Sequence, residues 1–529
     1  MIRSAAIATA ALGAALLLSS CSQPVVTTPS PQVDPEQIRA HVAAYRKAQG
    51  SGLQPGGAGE DQSVAYTKRV LEGMGLTVQT PRVPLTRIQP IRTSVSLTGA
   101  GGARTLGEGT DVVTWTRRHE AATSTEGDLV FVGYGISTPR QGWDDYKGVD
   151  VRGKILLMLL GDPHVGERHL LGAIGGDLYG RSRYKFEEAE RRGARGVLLV
   201  HLDAQADEPW QQVRQDPINI LDDGEPGKAT PHMPFEGWIS LEAAGKIFGD
   251  ASIDFVEQLT KAEEPNFQPI ALPVRASVQV QSAITGVTST NVVATLPPVN
   301  APAEYVLFST QWNDLPVGGA AGADLTDRDP GNQAPAGVSV ALEVARALSQ
   351  VRTPHRGFVF VVVTAEAQGL LGLDSYLDHP LYSEVATRAA IHVAGFNVHG
   401  ADTRVAVIGA AYEALKGMVR ERASEQFRIA EGDNDLERLH FFRPAKVSYT
   451  LKQIPSIFLS SGGALDSAAI PVDKMDMTVA VLDTRLLFRV GMQVATADNW
   501  PGWEPSRTIL DFVPGGPAAD DPRRSKGIR

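Results

Sequence analysis

In the second half of the chain, short apolar runs alternate with stretches in which apolar residues return every three or four positions. Runs at 305–309, 358–363, 391–394, 405–408 and 454–459 are continuous and bounded by turn residues, as strands buried on both faces read. Between the first two, Val338, Ala341, Leu342, Ala345 and Leu348 fall on one helical face. This alternation predicts an α/β fold, with a mixed, mostly parallel sheet flanked by helices. Earlier in the chain, 129–135 and 154–160 read as buried strands joined by the polar connection 142–153. A helical stretch at 185–192 leads through Gly193 to Gly196 into a further strand at 197–201. In the N-terminal region, 66–76 has the spacing of an amphipathic helix ended by Gly73 or Gly75.

The first residues change the picture. Arg3 precedes an apolar run at 7–18, a positive start and hydrophobic stretch too short to span a bilayer, as in a signal peptide. It ends in Leu18-Ser19-Ser20-Cys21, which resembles a lipobox and predicts cleavage before residue 21 with lipidation of Cys21. The composition holds a single cysteine, so no intrachain disulfide can form and the exported fold relies on packing. Residues 22–33 read as a tether, and 515–529 as a disordered tail. The chain has 529 residues, 43% of them hydrophobic, and a formal charge of -10 with no basic block. That charge argues against nucleic acid as a partner and leaves peptides, small molecules, other proteins and, through Cys21, the membrane.

In open α/β sheets functional groups collect beyond the carboxyl ends of strands. After the first strand stands Ser309-Thr310-Gln311-Trp312-Asn313-Asp314-Leu315, and Asn332-Gln333-Ala334-Pro335-Ala336-Gly337-Val338 opens the helix that follows. After the second strand comes Thr364-Ala365-Glu366-Ala367-Gln368-Gly369-Leu370-Leu371-Gly372, and the third carries Ala390-Ile391-His392-Val393-Ala394-Gly395. Together these segments resemble peptidase family 28, the zinc aminopeptidases and their glutamate carboxypeptidase-like kin.

The resemblance implies a zinc-exopeptidase-like domain over 35–114 and 281–514. It also implies an inserted β-rich protease-associated domain over 115–280, suggested by the order of Gly-Tyr-Gly, Asp-Tyr, Gly-Lys and Gly-Ala elements. It assigns the general base to Glu366 and an orienting acid to the position of Asn313. Metal ligands are implied at the positions of Gln311, Gln333, Ala367, Ala394 and, in a looser match, Asp466. A further cleft element falls on Arg443-Pro444-Ala445-Lys446.

Zinc takes thiolate, imidazole or carboxylate donors at about 2.0 to 2.3 Å. Alanine has no donor, and the glutamine amides are neutral where a paired-metal site needs anions. Metal binding lowers the pKa of water from about 15.7 to about 7, worth on the order of 12 kcal/mol toward hydroxide, which a lone Glu366 cannot supply.

The sequence therefore predicts no cofactor and a catalytically inactive, lipid-anchored pseudopeptidase. Its expected role is binding or scaffolding peptides or envelope proteins, with the periplasmic side of the outer membrane as the expected location. The competing expectation is a zinc-dependent aminopeptidase built on Glu366. His392, His399 and His440 fall outside the family's ligand register and read as structural histidines. Asp324, Asp327 and Asp329 read as solvated loop charges. Thr364 reads as the N-cap of a helix beginning near Glu366. No Gly-x-Ser-x-Gly element supports serine chemistry, Ser460-Ser461-Gly462-Gly463 lacking the first glycine.

Overall fold

The computed structural model describes residues 30–498 apart from 50–53, 139–141, 166–167, 170–178, 181, 207–208, 216–217, 229, 301–303, 313–332, 352, 354, 367, 396–399, 401–403, 409–412, 432–448, 450–451 and 462–469. Two sheets organise the chain. The first has eight strands in the order Thr77–Gln79, Val292–Leu296, Arg356–Val363, Glu304–Gln311, Thr387–Gly395, Ser456–Ser460, Arg404–Ile408 and Ile429–Glu431. Its four central strands, from Arg356–Val363 to Ser456–Ser460, run parallel, with antiparallel joints on either side.

Both faces of this sheet are covered, which is why its strands read as unbroken apolar runs. Val306, Phe308, Phe358 and Phe360 enter one core with the helices Pro35–Gln49, Gln333–Ser349 and Thr478–Thr496. Their neighbours Leu307, Val359 and Val361 enter the opposite core with Leu373, Tyr376 and Tyr449. The period of two along a strand thus feeds two cores. The expected α/β architecture, a mixed sheet flanked by helices, is what the structure shows. No described helix is long and apolar enough to cross a membrane.

The second sheet has nine strands and draws on residues from Arg82 to Thr290. Its spine is a long antiparallel pair, Arg82–Gly99 with Ile270–Thr290. Ala122–Phe131, Ile155–Leu159, Gly196–His201 and Phe235–Ser240 lie beside it, parallel to one another, the first of them antiparallel to Ile270–Thr290. This sheet begins at Arg82. Pro84 and Pro90 disguise the first strand, because proline cannot donate to a ladder. The ladder absorbs Pro90 by a register shift, with Gln281 opposite Arg92 and Ser282 opposite Pro90, leaving Ile91 as the extra, exposed residue of a bulge.

A charged cluster closes one end of this unit. His119 Nε2 and His232 Nε2 lie 3.1 and 3.2 Å from the same oxygen of Asp222, and His232 Nδ1 lies 3.3 Å from Glu190. With a carboxylate at each ring nitrogen, His232 must donate from both. Burial lowers its pKa, but hydrogen bonds to Asp222 and Glu190 more than reverse this and push it up to about 9 from an ordinary 6.5. A raised pKa in the folded state means that this contribution to stability is complete below about 6.5 and is lost as pH rises through about 9. The thermal midpoint is therefore expected to fall across that alkaline window. His232→Phe should flatten the fall; an equally steep decline in the variant would assign it to other groups.

Candidate functional site

The register of the first sheet sets Gln311 beside Val363 and Ser309 beside His392. The carboxyl ends of three adjacent strands therefore converge. Gln311 closes its strand as a buried residue, and its Oε1 has no hydrogen-bond partner among the described residues.

Beyond Val363 the chain turns sharply before the helix Leu371–Asp378. Ala365 (φ 50°) and Leu370 (φ 65°) are left-handed without being glycine, a strain of about 1–3 kcal/mol each that the surroundings must hold. They do so with polar and apolar contacts. Asn291 accepts from the Thr364 backbone N–H through Oδ1 at 3.0 Å and donates to the Gly372 carbonyl at 2.7 Å, bridging both ends of the turn. A Cβ on Gly372 would lie 2.2 Å from the Thr364 carbonyl oxygen, so only glycine permits this approach. Ser289 Oγ lies 2.8 Å from Glu60 Oε1 and 2.5 Å from Thr364 Oγ1. Val83, Leu85 and Leu221 of the second unit pack on Ala365 and Leu371 from outside.

The expected helix N-cap at Thr364 is thus corrected. The helix begins at Leu371, the cap position belongs to Leu370, and the Thr364 hydroxyl faces Ser289. The left-handed backbone at Ala365 prevents a helix from starting there.

Glu366 sits inside this turn with its side chain 15% exposed. Its Oε1 lies 3.0 Å from His392 Nε2. His392 Nδ1 lies 2.9 Å from Ser309 Oγ, and the Tyr449 hydroxyl donates to Ser309 Oγ at 2.7 Å. Ser309, His392 and Tyr449 are buried, and Phe458 packs on the imidazole with ring centroids 4.5 Å apart. Burial pushes the Tyr449 phenol far up, and the nearby Glu366 charge adds to this, so it stays a donor. Tyr449, Ser309, His392 and Glu366 thus form one continuous chain of polar contacts. The remaining carboxylate oxygen, Oε2, is buried with no hydrogen-bond partner among the described residues.

Of the other site residues expected from sequence, Gln333 opens the helix Gln333–Ser349 and Ala394 lies in the strand Thr387–Gly395. Asn313, Ala367, Arg443, Lys446, Asp466 and Cys21 lie outside the described residues, as do His399, His440, Asp324, Asp327 and Asp329. Reading His392 as structural missed its contact with Glu366. The signal was available in principle, since aligning the parallel strands places His392 beside Ser309. Among the described residues, no group of three or more His, Cys, Asp and Glu side chains is disposed to hold a metal ion.

Residues 291–480 match the model described as "Peptidase family M28". This stretch is a peptidase family M28 domain. It begins at Asn291, the residue that bridges the Glu366 turn, and takes in the whole relay from Ser309 to Tyr449. The chain is also similar to a solved aminopeptidase from Aneurinibacillus sp. strain AM-1. That likeness has a TM-score of 0.51 at 16% identity and covers 89% of this chain and 96% of the other. A zinc aminopeptidase from Bacillus subtilis is matched at 0.48 and 16% identity, over 90% of this chain and 98% of that one. At such identity the first of these bears on the fold alone. A search of the curated proteins finds no match to this chain.

Proposed function

We propose that this M28-domain protein is a catalytically inactive peptidase relative that binds peptides or envelope proteins and is held at the membrane by a lipid on Cys21. The observation that carries the reading is Glu366, the position of the family's general base, bound through one oxygen to His392, while the neutral amide of Gln311 stands where the family resemblance implies a metal ligand. The residues present do not fit a zinc pair. Gln311 offers an uncharged oxygen, Ala394 offers no donor, and Glu366 is already paired with an imidazole. Export and anchoring rest on the N-terminal pattern ending in Cys21, with the outer membrane as the proposed location.

The competing reading, a zinc-dependent aminopeptidase, is favoured by the retained Glu366 and by the activity named for the similar structures. Elemental analysis of the purified chain, together with a panel of aminoacyl and dipeptide substrates in added zinc, manganese or cobalt, separates the two. The proposal expects substoichiometric metal and turnover no greater than that of Glu366→Ala. Stoichiometric zinc with turnover abolished by Glu366→Ala would sink it.

A further inference from the structure

Among the described residues no large apolar side chain is more exposed than Phe427, at 93%, and Ile429 close by is 58% exposed. The two flank Arg428, whose guanidinium turns inward onto Asp483 at 2.6 Å, which leaves its neighbours facing out. Phe427 closes the helix Glu413–Ser424. Its N–H donates to the Ser424 carbonyl, and that of Arg428 to the Ala423 carbonyl, both at 3.0 Å. In a helix ending bonded in this way the residue at the Phe427 position is left-handed, and glycine is its usual occupant. Phe427 adopts that conformation, φ 56°, although a bulky side chain disfavours it. The fold itself gains neither buried contact nor backbone fit from a phenylalanine at this place.

The N-terminal segment arrives at the same surface. Arg489 Nη2 donates to Ser30 Oγ at 3.1 Å, and Arg489 also pairs with Glu425, two residues before Phe427. Arg346 donates to the Gln32 carbonyl at 2.7 Å and Val33 is buried in the core, which fixes this approach. Cys21 precedes Ser30 by nine residues, a reach of about 30 Å at full extension, against roughly 60 Å for the breadth of a compact chain of this size. A lipid on Cys21 therefore keeps a bilayer within reach of Phe427 and favours this side of the domain over the opposite one. Charge around the patch is balanced, since Glu425 pairs with both Arg422 and Arg489, and Glu413 with Arg420. What the patch offers is apolar contact.

We propose that Phe427 and Ile429 form a membrane-contact patch, which enters the headgroup region of the bilayer that holds the lipid of Cys21 and so orients the M28 domain on it. This rests on the reading of Cys21 as lipidated and extends it from a tether to a docked orientation. An aromatic ring held clear of the fold can reach the boundary of headgroup and acyl chain, where peripheral anchors bury their apolar side chains. The left-handed backbone is tolerated because the ring it presents is used outside the chain.

The test places an environment-sensitive fluorescent amino acid at position 427 of the full chain, and in a second sample at Val385, which is 75% exposed. Val385 precedes the strand Thr387–Gly395, at the amino edge of the sheet, whereas Ile429 lies opposite Arg404, beyond the carboxyl end of Ser456–Ser460. Both samples are bound to vesicles of phosphatidylethanolamine and phosphatidylglycerol in equal parts. Emission from position 427 should shift to the blue and be quenched by spin-labelled lipid, at low and high salt alike, and emission from position 385 should do neither. An unshifted probe at 427 on vesicle-bound chain would overturn the patch, as would equal shifts at the two positions. A shift that appears without vesicles and grows with protein concentration would assign the surface to a second copy of the chain instead. The mass of the isolated chain reports the Cys21 lipid separately. If that lipid is missing the anchoring reading fails, and coupling Cys21, the single cysteine, to a maleimide lipid still puts position 427 to the same test. Phe427→Gly should raise the denaturation midpoint, because glycine takes the left-handed backbone without steric cost. A lower midpoint would assign the phenylalanine to the fold and count against the proposal.

Discussion

A chain carrying Gln311→His, Gln333→Asp, Ala367→Glu and Ala394→Asp together is expected to retain zinc through dialysis that strips the parent chain. The gain should be on the order of 10 kcal/mol of apparent binding free energy, the lower range for sites that supply a full set of charged donors. The argument is one of coordination. The strand ends that carry residues 311 and 394 are adjacent, and the helix opened by residue 333 packs on the same strands. What is missing on the proposed reading is donor chemistry, which four side chains restore at once. Single replacements should achieve little, since one imidazole or carboxylate among neutral neighbours leaves the ion's charge uncompensated. Dialysis followed by elemental analysis of the parent, the single variants and the fourfold variant reads the outcome. A fourfold variant that folds and still loses all zinc would show that the edge has diverged in shape as well as in donors.

Asp483→Ala is expected to destabilise the protein by about 3–5 kcal/mol, the range for removing one partner of a buried ion pair. Asp483 lies in the helix Thr478–Thr496, and Arg428 Nη1 donates to its Oδ1 at 2.6 Å with both side chains almost wholly buried. Ser461 donates to the other carboxylate oxygen. Burial raises the Asp483 pKa to about 6 even though Arg428 pulls it down, which measures how strongly desolvation opposes the charge. Truncation strands a guanidinium whose Nε and Nη2 already lack partners. Asp483→Leu combined with Arg428→Met removes both charges and should cost much less. Denaturant titration of the single and double variants checks the difference, and similar losses in both would assign the effect to packing.

The parallel sheet was legible because burial on both faces writes a continuous apolar run, as at Glu304–Gln311 and Arg356–Val363. The spine of the second sheet was not. Its first strand is broken by Pro84 and Pro90, and its partner lies at Ile270–Thr290, far along the chain. The position of Glu366 in a turn after a strand followed from the local sequence. The shape of that turn did not, because left-handed alanine and leucine leave no compositional trace. His392 illustrates the same limit, since one histidine in an apolar strand looks like any core residue until Ser309, 83 positions away, is placed beside it.

The anchors of the Glu366 turn belong to neither sheet alone. Ser289 is the last residue but one of the long antiparallel spine of the second unit, and Asn291 is the single residue between that spine and the strand Val292–Leu296 of the first. The turn that carries the carboxylate is thus moored to both sheets within three consecutive residues, Ser289 to Asn291.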